Sequence, residues 1–136
     1  MITALDTSVI LDLLLDDPEY GVLSENAIRE ARLKGRLIVC EVVVAEVAPA
    51  LHSVEELDQF FGDIGIEFVS SDADSAKLAG TIYSRYLRNR GTAKRVLPDF
   101  LVAAHAIIQA DALLARDRGY YREYFDNLHL IDPSAD

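Results

Sequence analysis

Two carboxylates stand just after short apolar runs of the sequence. Asp6 follows Ile2–Leu5, and Asp117 follows Ala112–Ala115 within two residues. Such runs predict buried strands, and the ligands of open α/β sheets bind at the carboxyl ends of the strands. Because an acid beside a buried segment is disfavoured unless it is paired or bound to a cation, both residues are candidates for a binding site.

Two further acids stand in apolar surroundings. Glu46 is the only charged residue from position 42 to 51, and Asp99 stands between Pro98 and the most apolar helix-forming stretch of the chain. Taken singly, each of the four acids has an ordinary explanation as a helix cap or as half of an ion pair. Together they favour a divalent cation, because clustered carboxylates repel each other and oxygen ligands select Mg²⁺ or Mn²⁺ over zinc. Such a site would accept an anionic substrate.

The order of apolar runs predicts the elements that position these acids. Strands are predicted at Ile2–Leu5, Leu37–Cys40, Ile66–Val69, Ala112–Ala115 and Leu128–Ile131. Helices are predicted at Ser8–Leu15, Glu25–Lys34, Val54–Phe61, after the cap at Ser70–Asp72, and at Asp99–Ala110. The segment Glu41–Leu51 fits either type, because its valines favour a strand and its alanines favour a helix. Strands that alternate with helices predict a three-layer α/β fold, with a central, mainly parallel sheet of four to five strands flanked by helices.

Composition limits the class of protein. The 136 residues include 13 Lys and Arg against 23 Asp and Glu, a net charge of −10, and 51% are hydrophobic, which excludes a disordered acidic tail. One cysteine excludes an internal disulfide framework. No run approaches the roughly 20 apolar residues that span a bilayer. We therefore expect one domain over residues 1–136 in a soluble, cytoplasmic protein, whose net charge by itself argues against a nucleic-acid partner.

One segment has the opposite charge. We call five residues within an acid-free stretch of eleven the basic stripe: Arg85, Arg88, Arg90, Lys94 and Arg95. A local stripe can bind phosphates despite an adverse net charge, because salt screens charges beyond about 8 Å. The alternative is a solvated helix end, where cations are favoured. Nearby aromatics at Tyr120, Tyr121, Tyr124 and Phe125 either stack on bases or, as we expect, pack the C-terminal segment, and His105 and Cys40 are expected in the core.

Four short motifs resemble those of PIN-domain nucleases. They are Leu5-Asp6-Thr7-Ser8-Val9-Ile10, Ala45-Glu46-Val47, Pro98-Asp99-Phe100-Leu101-Val102-Ala103-Ala104, and Ala115-Arg116-Asp117-Arg118 with the aromatics that follow. The resemblance covers roughly Met1 to Pro133. The compact length is most similar to VapC-type toxins of prokaryotic type II toxin–antitoxin modules.

The resemblance implies an endoribonuclease that hydrolyses RNA phosphodiester bonds with metal-activated water. It implies that the four acids hold one or two Mg²⁺ or Mn²⁺ ions and that Thr7 or Ser8 orders a carboxylate or a water. It also implies contacts of RNA with the basic stripe and Arg116, a cognate antitoxin, and a homodimer or toxin–antitoxin hetero-oligomer. The alternative function is a non-catalytic interaction protein with the same fold.

Two features depart from the family pattern. Glu41 is an additional acid near Glu46, and either begins a helix or supports the site indirectly. Arg116 and Arg118 flank Asp117, so their guanidinium groups either pair with its carboxylate, which would weaken metal binding, or contact phosphate.

Overall fold

The computed structural model describes residues 1–90, 96–117 and 119–135, with the backbone alone for Arg90. The N-terminal half contains β1 (Ile2–Leu5), α1 (Thr7–Leu14), α2 (Gly21–Lys34), β2 (Arg36–Val39), α3 (Glu41–Val47), a 3-10 turn (Ala48–Ala50) and α4 (Val54–Ile64). The C-terminal half contains β3 (Ile66–Phe68), α5 (Ala73–Arg90), α6 (Leu97–Gln109), β4 (Ala112–Leu114), α7 (Tyr120–Tyr124) and β5 (Leu130–Ile131).

Within the described ranges, one parallel sheet of five strands is flanked by seven helices, which confirms the predicted fold. The strand order is β3-β2-β1-β4-β5, so β2 and β3 lie on one side of β1, and the chain then crosses over to place β4 and β5 on the other side. The point where strand order reverses is a crevice for ligands at the carboxyl ends of the strands. Here that crevice lies between β1 and β4.

The ambiguous segment after β2 forms a helix. Val43 and Val47 lie one turn apart on α3 and are both fully buried, so helical spacing places two valines in the core. Pro49 lies beyond the helix, in the 3-10 turn. The branched valines had favoured a strand, but burial of one helix face decides the conformation.

Other boundaries differ modestly from the predicted ones. Helix α2 begins at Gly21, four residues earlier than predicted, and β5 is confined to Leu130–Ile131. Helix α7 was not predicted, since its five residues are too few to show a period. The predicted cap at Asp72 is confirmed, because its carboxylate accepts the Ser75 amide at 2.8 Å.

The core is centred on β2, β1, β4 and α6. Aromatic rings of α5, α6 and α7 meet beside the sheet, with Tyr86 and Tyr124 both within 5.7 Å of the Phe100 ring centroid. His105 is buried on α6, with Nε2 2.8 Å from the Val69 carbonyl, and Cys40 is buried at the start of α3, as predicted. Across the part of the chain that the structure describes, no helix is long and apolar enough to cross a membrane.

Candidate active site

A cavity of about 510 Å³ opens at the carboxyl ends of β1 and β4. Most of the predicted site residues line this cavity: Asp6, Thr7, Ser8, Glu46, Asp99, Arg116 and Asp117. Its remaining lining is Leu11, Asp12, Leu15, Asp17, Tyr120 and Tyr121. The four acids come from the ends of β1 and β4 and from α3 and α6, so the fold brings together residues that are far apart in sequence.

Asp6 is fixed at the end of β1 by several hydrogen bonds. Its backbone N–H donates to the Leu114 carbonyl at 3.0 Å, which extends the pairing of β1 with β4. Its extended backbone makes it the cap of α1, with Oδ2 accepting from the Ser8 amide at 3.3 Å and the Ser8 hydroxyl at 2.6 Å. Its Oδ1 accepts from the Tyr121 hydroxyl at 3.2 Å. The side chain is therefore both a helix cap and part of the cavity wall.

The two hydroxyls after Asp6 orient different acids. The Thr7 hydroxyl donates to Glu46 Oε1 at 2.6 Å, and links the start of α1 to α3. The Ser8 hydroxyl donates to Asp6 and also accepts the backbone N–H of Arg116 at 3.2 Å. Thr7 thus orders one carboxylate and Ser8 another, where the sequence had left open which hydroxyl would act.

Asp117 is held mainly by the backbone of the segment that follows it. Its Oδ1 accepts the amides of Gly119 at 2.8 Å and Tyr121 at 3.2 Å, and its Oδ2 accepts the Arg122 amide at 3.2 Å. Gly119 adopts a left-handed φ of 102°, which lets the chain turn back onto the carboxylate. The Arg122 guanidinium lies 3.5 Å from Oδ2. Asp117 therefore organises α7 as well as lining the cavity.

One predicted alternative was that the guanidinium of Arg116 pairs with the Asp117 carboxylate. Arg116 pairs with Asp12 instead, through Nε at 2.7 Å and Nη2 at 2.8 Å, and its guanidinium lies 4.2 Å from the centre of the Tyr20 ring. Arg118 lies outside the described residues. Arg116 lies two residues beyond β4 and pairs across to α1, and among the described residues Arg122 places a cation beside Asp117.

Asp12 is a site residue that the sequence reasoning missed. Its side chain is buried at 3% exposure, and its Oδ2 also accepts from the Ser24 hydroxyl at 2.7 Å. Asp12 is the only charge between Thr7 and Leu15, so the criterion that identified Glu46 would have identified it too. Its pairing with Arg116 and Ser24 depends on tertiary structure that no local pattern shows.

Tyr121 was expected to pack the C-terminal segment, and it also reaches the acids. Its hydroxyl donates to Asp6, and its backbone N–H donates to Asp117. Burial raises the pKa of Tyr121 well above its usual range, and the negative charges of Asp6 and Asp99 raise it further. The phenol is therefore a neutral hydrogen-bond donor among carboxylates.

Two members of the basic stripe have described side chains. Arg85 donates to the Tyr124 carbonyl at 2.7 Å and lies 5.4 Å from that ring's centre, while Arg88 is exposed. Neither of these two side chains lines the cavity. The side chain of Arg90 lies outside the described residues, as do Lys94 and Arg95. Arg85 thus has a structural contact at the end of α7.

Glu41 begins α3, and its Oε1 accepts the Ser71 amide at 2.7 Å. Burial raises the pKa of Glu41, but hydrogen bonds from Ser71 and from the backbone of Glu41 itself, together with the charge of His105, leave it below its usual range. Because Glu41 does not line the cavity, it has the helix-terminal role.

The donor atoms of the four acids suit a hard cation, since all are carboxylate oxygens. Among the residues that the structure describes, no three His, Cys, Asp or Glu side chains converge closely enough to ligate one metal ion together. Mg²⁺ usually binds proteins through one or two carboxylates and completes its shell with waters and substrate phosphates. The four carboxylates line one cavity without converging on one point, which is compatible with this way of binding Mg²⁺.

The fold and the site define an α/β protein with an acidic cavity at the switch point of a parallel sheet. The family model for the PIN domain matches residues 3–125, and the chain belongs to this family. PIN domains are generally nucleases, and they typically use divalent metals.

Three solved structures are similar along nearly their whole length. VapBC2 from Rickettsia felis, bound to a DNA fragment from its promoter, has a TM-score of 0.73 at 20% identity, with 97% of this chain and 98% of that chain covered. DNA-bound VapBC from Salmonella typhimurium has a TM-score of 0.69 at 17% identity, with 98% of each covered. FitAcB from Neisseria gonorrhoeae has a TM-score of 0.68 at 20% identity, with 98% of each covered. At these identities the likeness shows the fold. No curated protein matches the chain.

Proposed function

We propose that this protein is a metal-dependent endoribonuclease that acts as the toxin of a toxin–antitoxin pair in the cytoplasm. The observation that carries the proposal is the meeting of Asp6, Glu46, Asp99 and Asp117 at one cavity on the carboxyl edge of the sheet. Membership of the PIN family supports nuclease chemistry. We also propose that residues 1–136 form a single domain.

The four acids would hold Mg²⁺ or Mn²⁺, which supplies a low-pKa water and neutralises charge on the scissile phosphate when bound. The protein's own contribution is orientation. Ser8 and Tyr121 hold Asp6, Thr7 holds Glu46, and backbone amides hold Asp117. Without a cation, this cavity would repel an RNA phosphate, because its lining carries six acidic residues against one arginine.

The metal requirement is tested on the full chain with a structured RNA. We expect cleavage with Mg²⁺ or Mn²⁺ and loss of cleavage when EDTA is in excess. Because the metal binds the folded state, a concentration about 100 times its Kd should raise the free energy of unfolding by about 2.7 kcal/mol. Sodium chloride at the same ionic strength is the control for screening. Cleavage that persists in EDTA would remove the metal-dependent mechanism.

A second candidate is a PIN-fold interaction protein without catalysis. It is favoured by the lack, among the described side chains, of three acids grouped for one ion, and by the backbone amides near the start of α7 that already donate to Asp117. The unfolding measurement separates the candidates: a protein of this kind would show no metal-specific stabilisation and no cleavage.

The proposed partner is a cognate antitoxin that inserts a basic side chain into the acidic cavity. The similar VapBC and FitAB structures are toxin–antitoxin complexes, some bound to DNA. A basic insert complements the cavity carboxylates and a chain of net charge −10. We also propose self-association into a homodimer or a toxin–antitoxin hetero-oligomer.

The antitoxin is tested by co-expressing the chain with the product of the neighbouring reading frame. We expect the two proteins to co-purify, and the complex to cleave RNA far more slowly than the free chain. A neighbour that neither binds nor inhibits the nuclease would contradict the toxin assignment and leave the nuclease assignment standing.

A further inference from the structure

Tyr121 contacts two of the four acids through different donors. Its hydroxyl is 3.2 Å from Asp6 Oδ1, and its backbone N–H is 3.2 Å from Asp117 Oδ1. Asp6 follows β1 and Asp117 follows β4, so one residue on α7 connects the ends of the two strands that border the cavity. The side chain is buried and forms part of the cavity wall.

We propose that Tyr121 is a positioning residue that sets Asp6 and Asp117 relative to each other for metal binding. The inference rests on the proposed metal-dependent function. The backbone contact orients Asp117, and the phenol orients Asp6 from the side opposite to Ser8. With Ser8 on Oδ2 and Tyr121 on Oδ1, both oxygens of Asp6 are held, so its carboxylate plane is fixed before a cation arrives.

Packing does not account for the hydroxyl. The Tyr121 ring packs near Phe125, with their centroids 6.5 Å apart, and a phenylalanine ring would fill the same space. Burying a hydroxyl costs free energy unless it makes a good hydrogen bond, and a bond to a carboxylate is stronger than one to a neutral group. The position of the oxygen is therefore explained by Asp6.

The expected effect is on metal affinity. Partners that orient metal-binding side chains typically change affinity or activity by about 10–100-fold when they are removed. We expect Tyr121→Phe to weaken Mn²⁺ binding about 10-fold. The metal concentration that gives half-maximal cleavage should rise by a similar factor, while the rate at saturating metal stays close to that of the unaltered chain.

The experiment measures the Kd for Mn²⁺ by calorimetry and the metal dependence of cleavage on the full chain. Tyr124→Phe is the matched control, because Tyr124 is buried on the same helix but does not line the cavity. We expect Tyr124→Phe to change neither the Kd for Mn²⁺ nor the metal dependence of cleavage. The melting temperature of each metal-free variant is measured first, so that a loss of fold is recognised.

The outcomes separate the two proposals. If Tyr121→Phe raises the Kd for Mn²⁺ and Tyr124→Phe leaves it unchanged, the positioning role is supported. Equal or tighter binding by Tyr121→Phe, while the unaltered chain binds Mn²⁺, overturns this role and leaves the nuclease proposal intact. If the unaltered chain neither binds Mn²⁺ nor needs metal to cleave RNA, both proposals are overturned.

Discussion

Asp6→Asn should lower the rate of RNA cleavage by at least about 100-fold, more than the loss expected for a supporting residue. The substitution removes the negative charge and one carboxylate oxygen, both of which a cation requires. The amide keeps the size of the side chain and one oxygen that can accept from Ser8, so the cap of α1 is largely retained. The rate is measured with saturating Mg²⁺ and structured RNA.

Asp111→Asn is the matched control. Asp111 lies at the opposite edge of the sheet, just before β4, where its Oδ2 accepts the Ile2 amide at 2.6 Å. The same chemical change far from the cavity should leave cleavage unaltered. If Asp6→Asn cleaves RNA as fast as Asp111→Asn, Asp6 has no role in the reaction and the proposed metal site is wrong.

The second large effect concerns stability. Arg116→Met should lower the free energy of unfolding by about 3 kcal/mol, because it leaves the Asp12 carboxylate buried without its guanidinium partner. This is the lower end of the usual range for a broken buried pair, since the Arg116 side chain is 29% exposed while that of Asp12 is 3% exposed. Urea unfolding at neutral pH measures the change.

Two further variants test whether the loss comes from the buried charge. Arg36→Met breaks the Arg36–Glu67 pair, whose side chains are 55% and 50% exposed, and should cost less than about 1 kcal/mol. The double variant Asp12→Leu with Arg116→Met should regain most of the loss, because it removes the uncompensated charge. If Arg116→Met and Arg36→Met lower the free energy of unfolding equally, the buried pair contributes no more to stability than the exposed pair.

The acids at strand ends could be predicted because their position follows from local pattern and sheet geometry. Parallel strands end at one edge, so apolar runs before Asp6 and Asp117 were enough to bring the two together. Glu46 was identified by its isolation among apolar residues, although the same segment did not reveal whether it was helix or strand. The sheet itself was predictable from five short apolar runs.

The partners of these acids could not be predicted, because each contact joins distant parts of the chain. Thr7 and Glu46 are 39 residues apart, and Asp12 and Arg116 are 104 residues apart. A side chain such as Arg116 has several possible partners in sequence, and the twist and spacing of the elements choose one. The donor role of Tyr121 was hidden in the same way behind its apolar ring.

The strand order also determines when the site can come into existence. β1 occupies the centre of the sheet, but its neighbour β4 is synthesised only after residues 6–111, since Leu5 pairs with Leu114. A growing chain therefore carries Asp6 and Glu46 with one edge of β1 unpaired until β4 emerges from the ribosome, and such distant pairing folds slowly. The four-acid cavity is therefore incomplete on a nascent chain that has not yet made β4 and Asp117.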